Sequence, residues 1–479
     1  MSANASAYKP VWDFSAASRQ AVRNKTLRDA LFRATGKFDD GRREIMATLP
    51  QSEQVREKAR QIKDEVLANL DTYLAEFSER AEAAGAHVHW AANGEQANEI
   101  VVAIAREHGV RNIVKSKSMV SEETHLNDAL GKAGLHVVES DLGEYILQVA
   151  SDHPSHIVVP AVHRTKEEIA DLFNNAFDAD LPSEPTAITA FARKRLRDEF
   201  AGAEMGITGA NFACADTGTI VQVTNEGNGR LSTTWPRVHV VFTGIEKLIP
   251  GLADLPVFLK LLARSATGQP LTIYTNLITG PRRTGEGDGA QELHIVLLDN
   301  GRTDVLGSGY HETLRCIRCG ACLNTCPVYR AVGGHAYGGI YPGPIGSLLT
   351  PLYEGKRRFR HLPHASSLCG ACYEACPVKI NIPQMLIEMK ADQAGEGMTP
   401  FFERMTFRVW SLAMRSKLFY RLGARFMRWG LLPFSRDGWA SWLPGPFGGW
   451  TDHREFALPK DEPFHTQWKR LQEGEARAG

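Results

Sequence analysis

Two short cysteine runs constrain this chain more than any other feature. The first, CIRCGACLNTCP, spans Cys316–Pro327, and the second, SSLCGACYEACP, spans Ser366–Pro377. Superposed, Cys319, Cys322 and Cys326 fall on Cys369, Cys372 and Cys376, both runs end in proline, and Cys316 falls on Ser366. The C-x2-C-x2-C-x3-C-P spacing wraps three thiolates around one iron–sulfur cluster. The fourth thiolate, held at a turn by proline, reaches across to a second cluster. Thiolate is the soft donor that this chemistry requires. Zinc favours isolated C-x2-C pairs far apart, so seven cysteines in this order fit it poorly. The expected ligands are Cys316, Cys319, Cys322 and Cys376 for cluster 1, and Cys326, Cys369 and Cys372 for cluster 2. The expected cofactors are therefore two [4Fe–4S] clusters, the second with three cysteine ligands.

The missing eighth thiolate leaves several readings open. The fourth iron of a [4Fe–4S] cluster 2 takes Ser366, His361, His364, water or substrate; or cluster 2 is a [3Fe–4S] centre; or Cys214 completes the set. Cys214 sits in GANFACADTGTIV, where a small buried hydrophobe is the expectation. An iron without thiolate is either a more positive redox site or an open coordination position. Both suit electron transfer or substrate contact better than a structural staple.

The rest of the composition narrows the class. A chain of 479 residues is too long for one hydrophobic core and implies two or three domains. Lys+Arg and Asp+Glu balance at 55 each, so no global field recruits nucleic acid or a membrane. No secretory signal or spanning helix is expected, and seven clustered cysteines read as metal ligation in a reducing cytoplasm.

Residues 1–50 are polar and weakly patterned, and QSEQVREKARQIKDEVLANLDTYLAEFSERAEAAG predicts one long amphipathic helix over about 51–83. From 84 to 305 short apolar runs (AHVHWA, VRNIVKS, LHVVES, HIVVPA, GTIVQVT, RVHVVFTG, LTIYT, LHIVLLD) alternate with helices such as NGEQANEIVVAIAREHG and TKEEIADLFNNAF. That alternation predicts an α/β domain, a sheet with helices on its faces. A cysteine domain over 306–392 and a basic helix with a Trp-rich region over 393–479 complete the chain.

Other features carry weaker signals. Arg282 and Arg283, in the glycine-rich loop GPRRTGEGDG, are placed to grip a carboxylate or phosphate, or to lie in a mobile surface loop. Lys115 and Lys117 fall at a strand end, where open α/β sheets bind ligands, or are solvated there. NEGNGR, Asn225–Arg230, reads as a hairpin turn. There is no G-x-G-x-x-G dinucleotide loop, and no catalytic Ser/His/Asp or Cys/His set stands out. Over 401–434 seven basic residues flank an apolar face of Met405, Val409, Leu412, Phe419, Leu422, Phe426 and Trp429. Such a basic amphipathic helix packs on its own protein, docks a partner, or makes at most peripheral membrane contact.

The order of KSKSMVSEE, DLGEYI, GPRRTGEGDG, CIRCGACLNTCPVYR and SSLCGACYEACPVKINIP, ending in a Trp-rich segment, resembles the iron–sulfur B proteins of bacterial three-component lactate utilisation over nearly the whole chain. Ser366 is in keeping with that family. The resemblance implies a three-layer α/β domain like sugar-phosphate isomerases and CoA transferases, and a mainly α-helical two-cluster ferredoxin domain. It also implies two sister proteins with which the chain oxidises L-lactate to pyruvate, as an electron carrier that is not an autonomous enzyme. Competing expectations are an α/β enzyme on a carboxylate or CoA-type substrate with structural clusters, an assembly scaffold, and a glycolate-type oxidase iron–sulfur subunit.

Overall fold

The structure is a computed structural model that describes residues 11–451, 454–460, 462 and 464–478. Residues 1–10 of the expected polar segment lie outside that description. The chain divides into two compact units between Glu396 and Gly397.

The weakly patterned beginning is helical. Helices Phe14–Arg23 and Lys25–Ala47 meet at Asn24, whose side chain caps the second by accepting from Leu27 N–H at 3.0 Å. The second buries Leu31, Thr35 and Asp39. Asp39 is held by Arg42 and Arg43, each at 2.8 Å, so a polar sequence hides a packed face. The single helix expected over 51–83 is two, Ser52–Ala68 and Leu70–Ala83. The break is Asn69, whose amide donates to the Glu65 carbonyl at 3.0 Å and competes with the helix ladder.

Ten strands follow in the first unit: β1 His87–Ala91, β2 Asn112–Lys115, β3 His136–Glu139, β4 Met205–Thr208, β5 Phe212–Cys214, β6 Thr219–Thr224, β7 Val238–Gly244, β8 Leu248–Ile249, β9 Tyr274–Ile278 and β10 Glu292–Leu298. Six form a parallel sheet in the order β1-β10-β7-β4-β2-β3, and four form a second sheet, β8-β5-β6-β9. Alternation along the parallel strands sends side chains to two cores. Val240, Phe242, Val296 and Leu298 meet Val101 and Ile104 of helix Gly94–Glu107 on one face. Val241, Ile295 and Leu297 meet Phe77 of helix Leu70–Ala83 and Ile220 of β6 on the other. Each such buried side chain contributes roughly 1.5–3 kcal/mol relative to exposure.

Three local expectations are corrected. The run HIVVPA forms no strand; Ser155–Pro160 is an irregular segment packed toward the cysteines. Asn225–Arg230 is not a hairpin turn, because β6 and β7 belong to different sheets. Helix Asn228–Thr234 makes that crossover, and its Ser232 carbonyl lies 1.8 Å from where a Cβ on Gly206 would stand, so β4 needs glycine there. The basic region over 401–434 is two helices, Phe401–Met414 and Lys417–Leu431, because the Ser416 side chain caps the second by accepting from Phe419 N–H at 3.4 Å. No helix among the described residues is long and apolar enough to cross a membrane.

Candidate iron–sulfur sites

The two cysteine runs fold as near copies. In the first, Arg318 and Gly320 flank Cys319 with φ of 60° and 73°, and helix Ala321–Asn324 follows. In the second, Leu368 and Gly370 flank Cys369 with φ of 54° and 86°, and helix Ala371–Ala375 follows. These left-handed residues turn the backbone so that successive thiols face one point. Gly320 is further constrained: a Cβ there would stand 3.1 Å from His156. Each run then ends on a cysteine followed by proline. Cys326 Sγ accepts from Tyr329 N–H at 3.5 Å, and Cys376 Sγ accepts from Ile380 N–H at 3.3 Å.

Cys316, Cys319, Cys322 and Cys376 line one cavity, walled by Ile157, Ile317, Ile345, Val378, Ile380 and Ile382. Burial and neighbouring thiols push Cys319 and Cys322 well above the usual thiol range, and Cys376 to about 11. Burial, together with Cys326 and Cys369 nearby, pushes Cys372 up to about 12. Cys326, Cys369 and Cys372 are thus mutual neighbours, and Cys369 is exposed. A hydrogen bond from Ser367, with the Ala371 N–H, holds Cys369 below the usual thiol range. Thiols crowded in an apolar cavity, with backbone N–H groups aimed at their sulfurs, fit an iron–sulfur cluster, which takes up their sulfurs as thiolates.

The other sequence candidates have the following surroundings. Cys214 is fully buried in β5 among Phe212, Val221, Ile249 and Phe258, and burial pushes it to about 12 beside Asp216 and Asp254. Cys214→Ala is therefore expected to leave the iron content of the purified chain unchanged while lowering stability by about 1 kcal/mol in a denaturant melt. Ser366 Oγ accepts from Leu368 N–H at 3.1 Å, and His361 lies 3.8 Å from Asp13. Arg282 and Arg283 are exposed, in a loop closed by Glu286 accepting from Arg283 N–H at 2.7 Å. Lys115 is neither solvated nor free for a ligand: it is fully buried, 2.7 Å from Glu139 and 3.2 Å from Glu122. Burial opposes its charge, but those carboxylates outweigh burial and hold it protonated. Lys117 is partly buried, donating to the Val158 carbonyl at 2.8 Å.

Two features escaped the sequence reading. One is Ser155–Pro160, which brings Ile157 to the cavity wall and His156 Nε2 within 3.1 Å of Asn324 Oδ1. The other is a buried charge network behind Cys316. Glu246 accepts from Arg302 Nε at 2.5 Å and from Arg318 at 3.3 Å, and Glu123 takes Arg302 at 2.9 Å. Lys63 donates to the Glu246 carbonyl at 2.5 Å. Burial pushes Lys63 down to about 7 and Lys247 to about 8, with Glu246 opposing. Four basic groups (Lys63, Lys247, Arg302, Arg318) thus face two carboxylates. Arg318 Nε and Nη1 are buried without a hydrogen-bond partner. That positive surplus fits an anionic cluster held at Cys316.

A mixed α/β domain with a parallel sheet, joined to a thiol-lined helical domain, defines a class that the comparisons name. Residues 74–298 match the LUD domain, 312–380 a 4Fe-4S dicluster domain, and 389–473 the C-terminal domain of lactate utilisation protein B. The chain is 43% identical to lactate utilization protein B of Shouchella clausii over 96% of its own length and 97% of that protein's. It is 43% identical to the same protein of Bacillus subtilis, covering 93% of each chain. It is 40% identical to the uncharacterized electron transport protein YkgF of Escherichia coli, covering 98% of each. The chain belongs to the lactate utilization protein B family.

Proposed function

We propose that this chain is the iron–sulfur electron carrier of a cytoplasmic system that oxidises L-lactate to pyruvate, working between sister lactate-utilisation proteins. In this reading Cys316, Cys319, Cys322 and Cys376 hold cluster 1. Cys326, Cys369 and Cys372 hold cluster 2, either [4Fe–4S] with a fourth ligand other than cysteine or [3Fe–4S]. The α/β domain is read as the three-layer type shared by sugar-phosphate isomerases and CoA transferases. The names of the relatives, lactate utilization and electron transport, support the substrate and the role.

The observation that carries the proposal is the pairing of an apolar, largely buried site with an exposed one. When bound, a cluster accepts and releases an electron. Ile157, Ile345 and Ile382 give the first site an apolar wall, while Cys369 brings the second to the surface. Cys372 neighbours Cys376, which supports direct passage between the two. Exposed Leu368 and Tyr373 flank Cys369 in sequence and give a partner apolar surface to dock on. Electron transfer needs both sites; a structural staple needs one.

An anaerobic redox titration of the purified chain, followed by EPR, tests this. Two centres that change reversibly at cellular potentials are expected, and a signal in the oxidised state would assign cluster 2 as [3Fe–4S]. Centres silent across that range would overturn the carrier role.

A further inference from the structure

We propose that the α/β domain carries a metal site separate from the iron–sulfur sites, in which His108, His294 and Glu292 bind one divalent zinc-type ion. Glu292 Oε2 lies 3.2 Å from His108 Nε2 and 3.7 Å from His294 Nε2, and the three donor atoms all lie within 4.8 Å of one another. Donors of one ion at about 2.0–2.2 Å stand about 3–4 Å apart, so a small side-chain rotation closes the set.

His294 points to a ligand independently of that grouping. Its side chain is 6% exposed, and its Nε2 has no hydrogen-bond partner. The 3.7 Å to Glu292 is too long for a hydrogen bond. A buried ring nitrogen without a partner is costly in a native protein. Its other nitrogen, Nδ1, meets His89 Nε2 at 3.1 Å. With Nδ1–H donating to His89, the Nε2 lone pair is left facing Glu292 and His108, the second-shell arrangement that fixes the tautomer of a ligating histidine.

Position sets the site apart from the substrate crevice of the sheet. Glu292 and His294 lie at the start of β10, beside the edge strand β1, and His108 ends helix Gly94–Glu107. This is the N-terminal end of the parallel strands, opposite the crevice where such sheets bind substrates. It is also opposite the end of β10 from which the chain continues toward Cys316. Two imidazoles and a carboxylate with no sulfur suit zinc and leave a position for water on the exposed side of Glu292. The ion fastens the sheet edge to the helix end.

The test uses the full, cluster-loaded chain, kept anaerobic, equilibrated with micromolar zinc chloride and dialysed. The expected result is about one zinc per chain with iron content unchanged, and a zinc absorption edge showing only nitrogen and oxygen at about 2.0–2.1 Å. Zinc should raise Tm by several degrees. Glu292→Gln and His108→Gln, at partly exposed positions, should melt like the zinc-free wild type, bind no zinc and gain no stability from it. Failure of the wild type to retain zinc, sulfur in the zinc shell, or full retention by Glu292→Gln would each overturn the proposal.

Discussion

A chain carrying Cys316→Ala and Cys376→Ala together is expected to keep about half of the wild-type iron, whereas Cys316→Ala with Cys326→Ala should lose nearly all of it. The contrast follows from which sulfurs share a site. Cys316 and Cys376 line one cavity although 60 positions separate them, so both substitutions remove sulfurs from that one site. Cys326 lies only ten positions from Cys316, yet its thiol neighbour is Cys369. Ligation motif by motif would reverse the outcome, because Cys316 and Cys326 would then belong together. Iron and acid-labile sulfide per folded chain, with circular dichroism to confirm that the α/β domain is intact, measure the difference. Loss of all iron in both double variants would leave the crossed arrangement without support.

The loop that carries Cys316, Cys319 and Cys322 was legible because it is local: three cysteines within seven residues set their own backbone geometry, whereas the approach of Cys376 depends on the fold. The parallel strands were legible for a similar reason, as in VHVVFTG of β7, where β-branched residues fill a strand buried on both faces. What escaped depends on contacts distant in sequence. HIVVPA has the apolar run of a strand, but no neighbouring strand is offered to it, and His156, Ile157 and Val158 pack against the first cysteine run instead. Lys115 reads as a strand-end lysine until Glu139 of β3 and Glu122 close on it. His89 and His294 are 205 positions apart and meet only because β1 and β10 pair. The breaks at Asn69 and Ser416 fall on polar residues inside helical periodicity, where a side chain competes with the ladder or caps the next helix.

The charge network behind Cys316 gives the second large effect, and here stability and redox potential separate. Glu246→Gln removes one of two carboxylates facing four buried basic groups. Burial alone would push Glu246 up, but Arg302 and Arg318 hold it well below the usual carboxylate range, so it is charged whenever the protein is folded near neutral pH. Leaving those guanidiniums short of charge is expected to cost about 3–5 kcal/mol in a denaturant melt. Arg318→Gln should cost less, since Arg302 still holds Glu246 at 2.5 Å when the 3.3 Å contact of Arg318 to Glu246 and its stack on Tyr341, at 4.4 Å, are lost. A merely structural network would make both variants less stable and do nothing else. The potential distinguishes the electrostatic role. A cluster held there by four thiolates would be an anion and would become more negative on reduction, so a nearby positive charge would favour its reduced form. A unit charge about 7 Å away at an effective dielectric of about 20 is worth about 2 kcal/mol, or roughly 90 mV for a one-electron couple. Arg318→Gln is therefore expected to lower the potential of the Cys316 cluster by that order, and Glu246→Gln to raise it. Redox titration of both variants reads the two signs. Shifts in the same direction, or none, would mean that the buried surplus acts on folding alone.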